Sequence, residues 1–501
     1  MKRGRRFRDP PGRGTMPPTL PSPRTLIPAA LFLGAVVLVL VMPLAGAAVL
    51  GVLGVVLLFL LFPCDWRVAA FCLAGAMYIN VIRLFVDSLY PLLLFDFLLC
   101  LAVFVSFLNH AARRRIASAE SPLVLSPPVI LALLFLVLCV VQLWNPNVPD
   151  VQFALKGFRK TCLTIVGFFA AVWMFRGRDE LDKTWRIVGL AALPVCLYAV
   201  KQALFFSAFD YRMLDTVAAD VVTMRLARGY RAFSIFPGPF HLGMFSCIAA
   251  LIALYLLKGP NRLFWGAVYL TAFLAMVFAQ TRTNLLAFFA VSLLFLLLTT
   301  DRPGKWVRNL LLLGLLALPL VYAGYALRIE KFERLVVSLT RVQEDSRLLK
   351  RFDLYPQIIQ AIREHPLLGY GMGSGGDTLE AAIGVVHFTS HNLALKLLLE
   401  TGVLGAICFL GVTLLCLRRF LELWRRRGKA PETYRLAALS VSIIAVIYIN
   451  GLVGSAIEPY PANLLFWFAQ GSLVLLTDMP ALSAEGKTPG QAMQEGLDRE
   501  C

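Results

Sequence analysis

The stretch PFHLGMFSCIAALIALYLLKGPNRLFWGAVYLTAFLAMVFAQTRTNLLAFFAVSLLFLLL, residues 239–298, decides the fold class. It reads as three apolar runs, 239–257, 262–279 and 283–299, separated only by short polar joints at Lys258–Arg262 and Gln280–Arg282. A helix rises ~1.5 Å per residue, so each run is long enough to cross most of a ~30 Å hydrocarbon layer. None shows the two-residue alternation of a barrel strand, and backbone in lipid must hydrogen-bond to itself, so the runs are helices. Outward from this triplet, similar runs lie at 26–43, 45–62, 68–86, 88–108, 124–144, 160–176, 184–208, 307–325, 393–416, 436–456 and 461–477. The expected fold is therefore all-α, a polytopic integral membrane protein of about fourteen transmembrane helices. Composition agrees: the 501 residues are 59% hydrophobic and 16% charged, where a soluble domain is about a quarter charged.

A net charge of +18 would point to nucleic acid in a soluble chain, but its placement points elsewhere. Of the 48 Lys and Arg, 29 fall in the head, Arg67, Arg113–Arg115, 176–186, Lys258 with Arg262, 302–308, 418–435 and the tail. These segments alternate with the apolar runs, so the positive-inside rule assigns them and both termini to the cytoplasm. No aromatic-basic module accompanies them, and no nucleic-acid partner is expected. Most of the ten cysteines fall inside spans without a CxxC, which reads as small apolar packing residues. The basic head is long and a second apolar run follows the first at once, so the first run is read as an uncleaved span rather than a signal peptide.

Two of the segments assigned outside are long, 207–238 and 328–390, and long connections in compact proteins usually carry function. In the second, Leu348, Phe352, Tyr355, Ile358, Ile359 and Ile362 recur at helical spacing, so an amphipathic helix is expected there. Arg351 would then immediately precede that helix, and Pro356 would lie in its first turn, where a missing N–H costs little. Gly371–Gly376 fits GxGxxG but follows no strand, and Ser374 lacks the first glycine of a nucleophile elbow. His387 and His391 have zinc-compatible spacing but no third ligand and no HExxH, so no metal is expected.

The ionisable residues near the membrane are more informative. His391 stands at the outer mouth of a span, followed by Asn392, Lys396 and Glu400. Lys396 can snorkel to the surface. Glu400 cannot, and a charge at membrane depth costs about 3 kcal/mol, which by default marks a functional site. Arg282 sits between two apolar runs, Arg351 in the long outer segment, and Arg231 shortly before another span, in the same segment as Arg225 and Arg228. Arginines at interfaces often anchor to lipid headgroups. Converging on one site, they suit a phosphate or diphosphate, which guanidinium binds through two parallel hydrogen bonds.

Taken in order, these residues resemble a family. Arg351 with Tyr355 four residues on, then His365-Pro-Leu-Leu-Gly-Tyr-Gly371, then His391-Asn-Leu-Ala-Leu-Lys-Leu-Leu-Leu-Glu400-Thr-Gly402, is similar to the bacterial O-antigen ligase and O-antigen polymerase family. Tyr355 stands where Trp is usual in that family, and Thr-Arg-Thr surrounds Arg282. The resemblance covers 276–417, including an outer loop at 326–390. It is flanked by a basic Pro/Gly-rich head (1–25), an N-terminal transmembrane region (26–275), C-terminal spans (418–478) and a cytoplasmic tail (479–501).

The resemblance implies a metal-independent, inverting glycosyltransferase of the bacterial inner membrane with no cofactor. It would move a glycan from undecaprenyl diphosphate to an acceptor hydroxyl on the extracytoplasmic face, in O-antigen or exopolysaccharide synthesis. His391, Arg351 and Arg282 are its expected catalytic residues. Arg231, Glu400, Tyr355 and Asn392 are the expected substrate-binding ones. Membrane lipids, a flippase and a chain-length regulator are the expected partners. A polymerase is favoured over a ligase acting on lipid A core, because the expected fourteen spans are two more than the family it resembles usually has and because of the second arginine-bearing outer segment. A transporter would more often show internal two-fold repetition and interrupted spans, and the sequence displays neither.

Overall fold

The computed structural model describes residues 65–85, 90–117, 126–217, 225–226, 229–300, 346–376 and 390–478. Its helices, in chain order, are α1 (Trp66–Gly75), α2 (Ile79–Ile82), α3 (Tyr90–Ala117), α4 (Pro127–Val141), α5 (Val151–Thr161), α6 (Val166–Met174), α7 (Arg178–Leu204) and α8 (Ala208–Val217). A two-residue hairpin, β1 (Arg225–Leu226) with β2 (Gly229–Tyr230), precedes α9 (Pro239–Leu256), α10 (Arg262–Ala279) and α11 (Arg282–Thr299). The remaining helices are α12 (Ser346–Glu364), α13 (Leu393–Arg425), α14 (Pro431–Gly451) and α15 (Ala462–Asp478).

Among the described residues eight helical stretches are long and apolar enough to cross a membrane: Pro127–Trp144, Val151–Met174, Arg178–Leu204, Pro239–Leu256, Arg262–Ala279, Arg282–Thr299, Leu393–Arg425 and Pro431–Gly451. Three of the fourteen expected runs, 26–43, 45–62 and 307–325, lie outside the described residues. Two others correspond to the shorter apolar helices Trp66–Ile82 and Leu94–Leu108. The run at 461–477 becomes α15, and its side chains are buried from Ala462 to Leu476. A helix apolar on every face belongs inside a bundle. α15 packs against α6, α13 and α14, and its Trp467 ring lies 5.4 Å from Phe409 and 6.0 Å from Phe135.

Two boundaries differ from expectation. The helix before α6 begins at Val151, where Asp150 accepts the Phe153 N–H at 2.7 Å, and a 3-10 turn at Leu163–Ile165 interrupts the span. The amphipathic helix α12 begins at Ser346, so Arg351 lies within it and Pro356 in its interior. An internal proline forfeits one helical hydrogen bond. The apolar face of α12 offsets that loss, since Ile358 and Ala361 are buried against Tyr370 and Leu399, with Tyr355, Ile362 and Leu395 packed around them.

Candidate active site

Arg282 is the first residue of α11, directly after a break at Gln280, whose φ of 53° is left-handed. The break is locked by Asn284, which is fully buried and donates to Thr281 Oγ1 at 2.7 Å and to the Phe240 carbonyl at 3.1 Å. Only glycine fits opposite it, because a Cβ on Gly243 would meet Asn284 Nδ2 at 2.2 Å. The segment carrying Arg231 runs to the same corner: the Ala232 N–H donates to the Phe278 carbonyl at 3.1 Å, four residues before Arg282. The segment is held from the other side by Gln202, whose Oε1 accepts the N–H of both Phe233 and Ser234 at 2.8 Å. Its start is tied down by Asp210. Burial raises that carboxyl's pKa, but donors from Lys201, Tyr198 and Ser207 together hold it below its ordinary value. Arg225 lies on β1, and Arg228 is outside the described residues.

His391 is half-buried and has a left-handed φ of 42°, a conformation that costs a non-glycine residue about 1–2 kcal/mol. Such strain persists only where neighbouring contacts over-determine it. They do so here. Ser390 Oγ donates to the Gly375 carbonyl at 2.8 Å and lies 3.3 Å from Ser455 Oγ. Asn392 caps α13, its Oδ1 accepting from the N–H of Ala394 (2.9 Å) and Leu395 (3.1 Å) while its Nδ2 donates to the Leu452 carbonyl at 3.0 Å. Capping is the role this geometry gives Asn392, and a substrate contact would have to use its second amide hydrogen. The His391 and Arg282 corners meet through Phe240: its carbonyl binds Asn284, and its ring leaves no space for a Cβ on Gly454, next to Ser455.

The 366–370 turn of the long outer segment is clasped to α13 backbone to backbone. α13 breaks at Gly402 (φ 63°, ψ −168°), which frees the Leu399 carbonyl and the Val403 and Leu404 N–H groups. The Pro366–Tyr370 turn takes up all three, with Tyr370 N–H to Leu399 O at 2.6 Å, Val403 N–H to Pro366 O at 2.9 Å and Leu404 N–H to Leu367 O at 3.3 Å. Neither chain tolerates a side chain at the crossing, because a Cβ on Gly402 would meet Leu367 O at 2.2 Å and one on Gly369 would meet Leu399 O at 2.4 Å. The two glycine-bearing motifs are thus the halves of one clasp. Glu364 and Tyr370 brace it from the side: the phenol donates to the carboxylate at 2.5 Å. Burial and then the carboxylate push the phenol up to about 12. Through this clasp α12, carrying Tyr355 on its packed face, is docked on the span that starts at Asn392. Arg351 is placed on α12 by its backbone.

The expectation of uninterrupted spans does not hold at Gly402. Its freed backbone groups are satisfied by the clasp, whereas a transporter aims such groups at its cargo.

Glu400 is fully buried. It accepts from Lys396 Nζ at 2.5 Å, Thr161 Oγ1 at 2.8 Å and the Gly373 N–H at 3.2 Å. The glycine-rich segment 371–376 therefore turns a backbone donor toward an internal carboxylate. Lys396 also meets Glu458 Oε1 at 2.7 Å. Sequence reading missed Thr161, Glu458 and the lysines of α5. Lys156 and Lys160 line a cavity of about 20 Å³ with Gly373, Lys396, Glu400 and Glu458, enough for one water molecule and too small for a sugar. The four-residue spacing of Lys396 and Glu400 is the signal that could have revealed their pairing; Lys396, expected to snorkel to the surface, is instead buried in that pair. Nothing local pointed to Glu458. Among the described residues no group of His, Cys, Asp and Glu is arranged to hold a metal, and His387 lies outside them.

Residues 267–410, a little under a third of the chain, match the family described as O-antigen ligase. The matched segment contains Arg282, Arg351, the clasp and His391. No curated protein matches the chain.

Proposed function

We propose that the chain, whose residues 267–410 match the family described as O-antigen ligase, transfers a glycan from undecaprenyl diphosphate to an acceptor hydroxyl on the extracytoplasmic face of the inner membrane. The observation that supports this reading is that the segments bearing Arg231, Arg282 and His391 are linked by contacts of their neighbours, Ala232 with Phe278, Asn284 with Phe240, and Phe240 with Gly454 beside Ser455, while α12 docks on the span that follows His391. Charge placement supports the sidedness, because the segments that meet there (around 160, 231–236, 280–284, 366–376 and 452–460) are ones the positive-inside rule leaves outside. The opposite end joins basic segments: Arg435 donates to the Tyr255 carbonyl, and Tyr255 donates to Asp182 at 2.8 Å.

His391 accepts the acceptor's hydroxyl proton as general base. The oxygen attacks the anomeric carbon, the bond from that carbon to the diphosphate oxygen breaks, and its electron pair departs with undecaprenyl diphosphate. A single displacement inverts the configuration at that carbon. Arg282 and Arg351 stabilise the leaving diphosphate, a task that needs fixed cations and no metal. Arg231 binds the second diphosphate or the glycan, and Tyr355 contacts substrate from α12. Glu400 acts on the site through Lys396 and the glycine segment.

The polymerase reading rests on the Arg231 segment, since two lipid-linked glycans bring two diphosphates. The family's description as a ligase favours the alternative, transfer to lipid A core. Cells lacking the protein separate the two. Accumulation of single lipid-linked repeat units and loss of long chains is the polymerase outcome. Long polymer still on undecaprenyl diphosphate, beside bare lipid A core, would make the protein a ligase.

A further inference from the structure

The chain leaving His391 is stitched to one other segment, the turn between α14 and α15, by three bonds. Asn392 Nδ2 donates to the Leu452 carbonyl at 3.0 Å, Ser390 Oγ meets Ser455 Oγ at 3.3 Å, and Lys396 Nζ meets Glu458 Oε1 at 2.7 Å. The contacts on the turn fall every three residues, at 452, 455 and 458, and they flank His391 on both sides. Two of the rungs are neutral. The third is an ion pair whose side chains are only 1% and 8% exposed, so bulk solvent and salt screen it little. His391 holds a left-handed backbone that an unsupported loop would relax.

Lys396 is also bonded to Glu400, which reaches Thr161 on α5 and Gly373 in the glycine segment. Glu458 is in turn anchored at the backbone, because buried Asn463 donates to the Ile457 carbonyl at 2.9 Å and the Lys160 carbonyl at 3.2 Å. Lys396 is thus the joint between the helix that begins beside His391 and three other segments.

The geometry points to Glu458 as a positioning residue for the transfer reaction: through Lys396 it fixes the strained His391 backbone, and it contacts neither glycan nor diphosphate. The inference rests on His391 being the base, as proposed above. Glu458→Gln keeps the side chain's size and removes its charge. Because a displacement of about an ångström at a reacting group costs up to about a hundredfold, this variant should lower kcat at least about tenfold and leave KM for the lipid-linked glycan within about twofold. Glu458→Asp should recover most of the loss. Lys396→Met combined with Glu458→Gln should be no slower than Lys396→Met alone, since both act through one bond.

The assay uses purified full-length protein and the lipid-linked glycan extracted from cells that lack it, with rates divided by the amount of folded protein. Ser455→Ala removes a neutral rung and leaves every charge paired, so it reports even if Glu458→Gln does not fold. It should lower kcat about threefold at constant KM. A wild-type kcat in Glu458→Gln or in Ser455→Ala overturns the inference. So does a loss of Glu458→Gln activity carried by KM, which would make Glu458 a substrate contact. His391→Ala run alongside separates the two failures: if it stays active, the functional reading itself has failed.

Discussion

On the proposed reading His391 is the residue on which the chemistry turns, and its surroundings explain why neighbours that touch no substrate matter. Replacing His391 or Arg282 with Ala should abolish glycan transfer while expression and membrane insertion stay near wild type. Arg351→Lys should fail as well if the diphosphate is held by two parallel bonds, because an ammonium is a point donor. Glu400→Ala behaves differently. It strips Lys396 of one buried partner and leaves the Thr161 hydroxyl and Gly373 N–H without their acceptor, so stability in detergent should fall by about 3–5 kcal/mol. Asn392→Ala should cost about 1 kcal/mol through loss of the cap, read as a lower midpoint in thermal unfolding. His391, Arg282 and Arg351 could be singled out from the sequence because the motifs that carry the family resemblance are local, and their catalytic roles are the proposal made above. Glu458 and Thr161 could not, because their contacts with Lys396 and Glu400 bridge distant segments, 239 residues apart for Thr161 and Glu400.

The amphipathic helix and the span it rests on form a unit whose geometry is set by glycine. Gly402 has a φ of 63° and lies against the Leu367 carbonyl, so Gly402→Ala should destabilise the protein by about 2–4 kcal/mol and expose the 366–370 turn to protease. Gly428→Ala is the matched control: nothing lies within 4 Å of a Cβ there, and it should be neutral in both measurements. A protease pattern unchanged in Gly402→Ala would contradict the clasp. The apolar spacing that reveals α12 was visible from Leu348 to Ile362. Its start was misjudged because Pro356 is better tolerated in a first turn, and packing on Tyr370 and Leu399 overrode that preference. The break at Gly402 was hidden for a related reason. A single glycine in an apolar run is common in spans, and only the partner turn 33 residues earlier shows that its backbone is needed there.

The described helices from Trp66 onward form a bundle with two ends, one where the segments bearing the proposed catalytic groups meet and the other where basic connections lie. The membrane class was legible in composition and run length alone, since lipid leaves so few solutions for the backbone. Span number was less legible, because an apolar run such as 461–477 reads the same whether it is a full span or a buried helix of 17 residues. Sidedness is testable directly. Engineered cysteines in 328–390 should react with an impermeant reagent applied outside the inner membrane, and those in 418–435 only after lysis; the reverse pattern would put the arginines on the wrong side.

The central claim is transfer of glycan out of a polyprenyl diphosphate by His391. Its most direct measurement follows purified full-length protein given labelled lipid-linked glycan and acceptor in the presence of EDTA. One undecaprenyl diphosphate should be released for each glycan joined, and His391→Ala should release none. Joining that stops with chelator, or glycan that crosses a vesicle membrane with its diphosphate bond intact, would contradict the account.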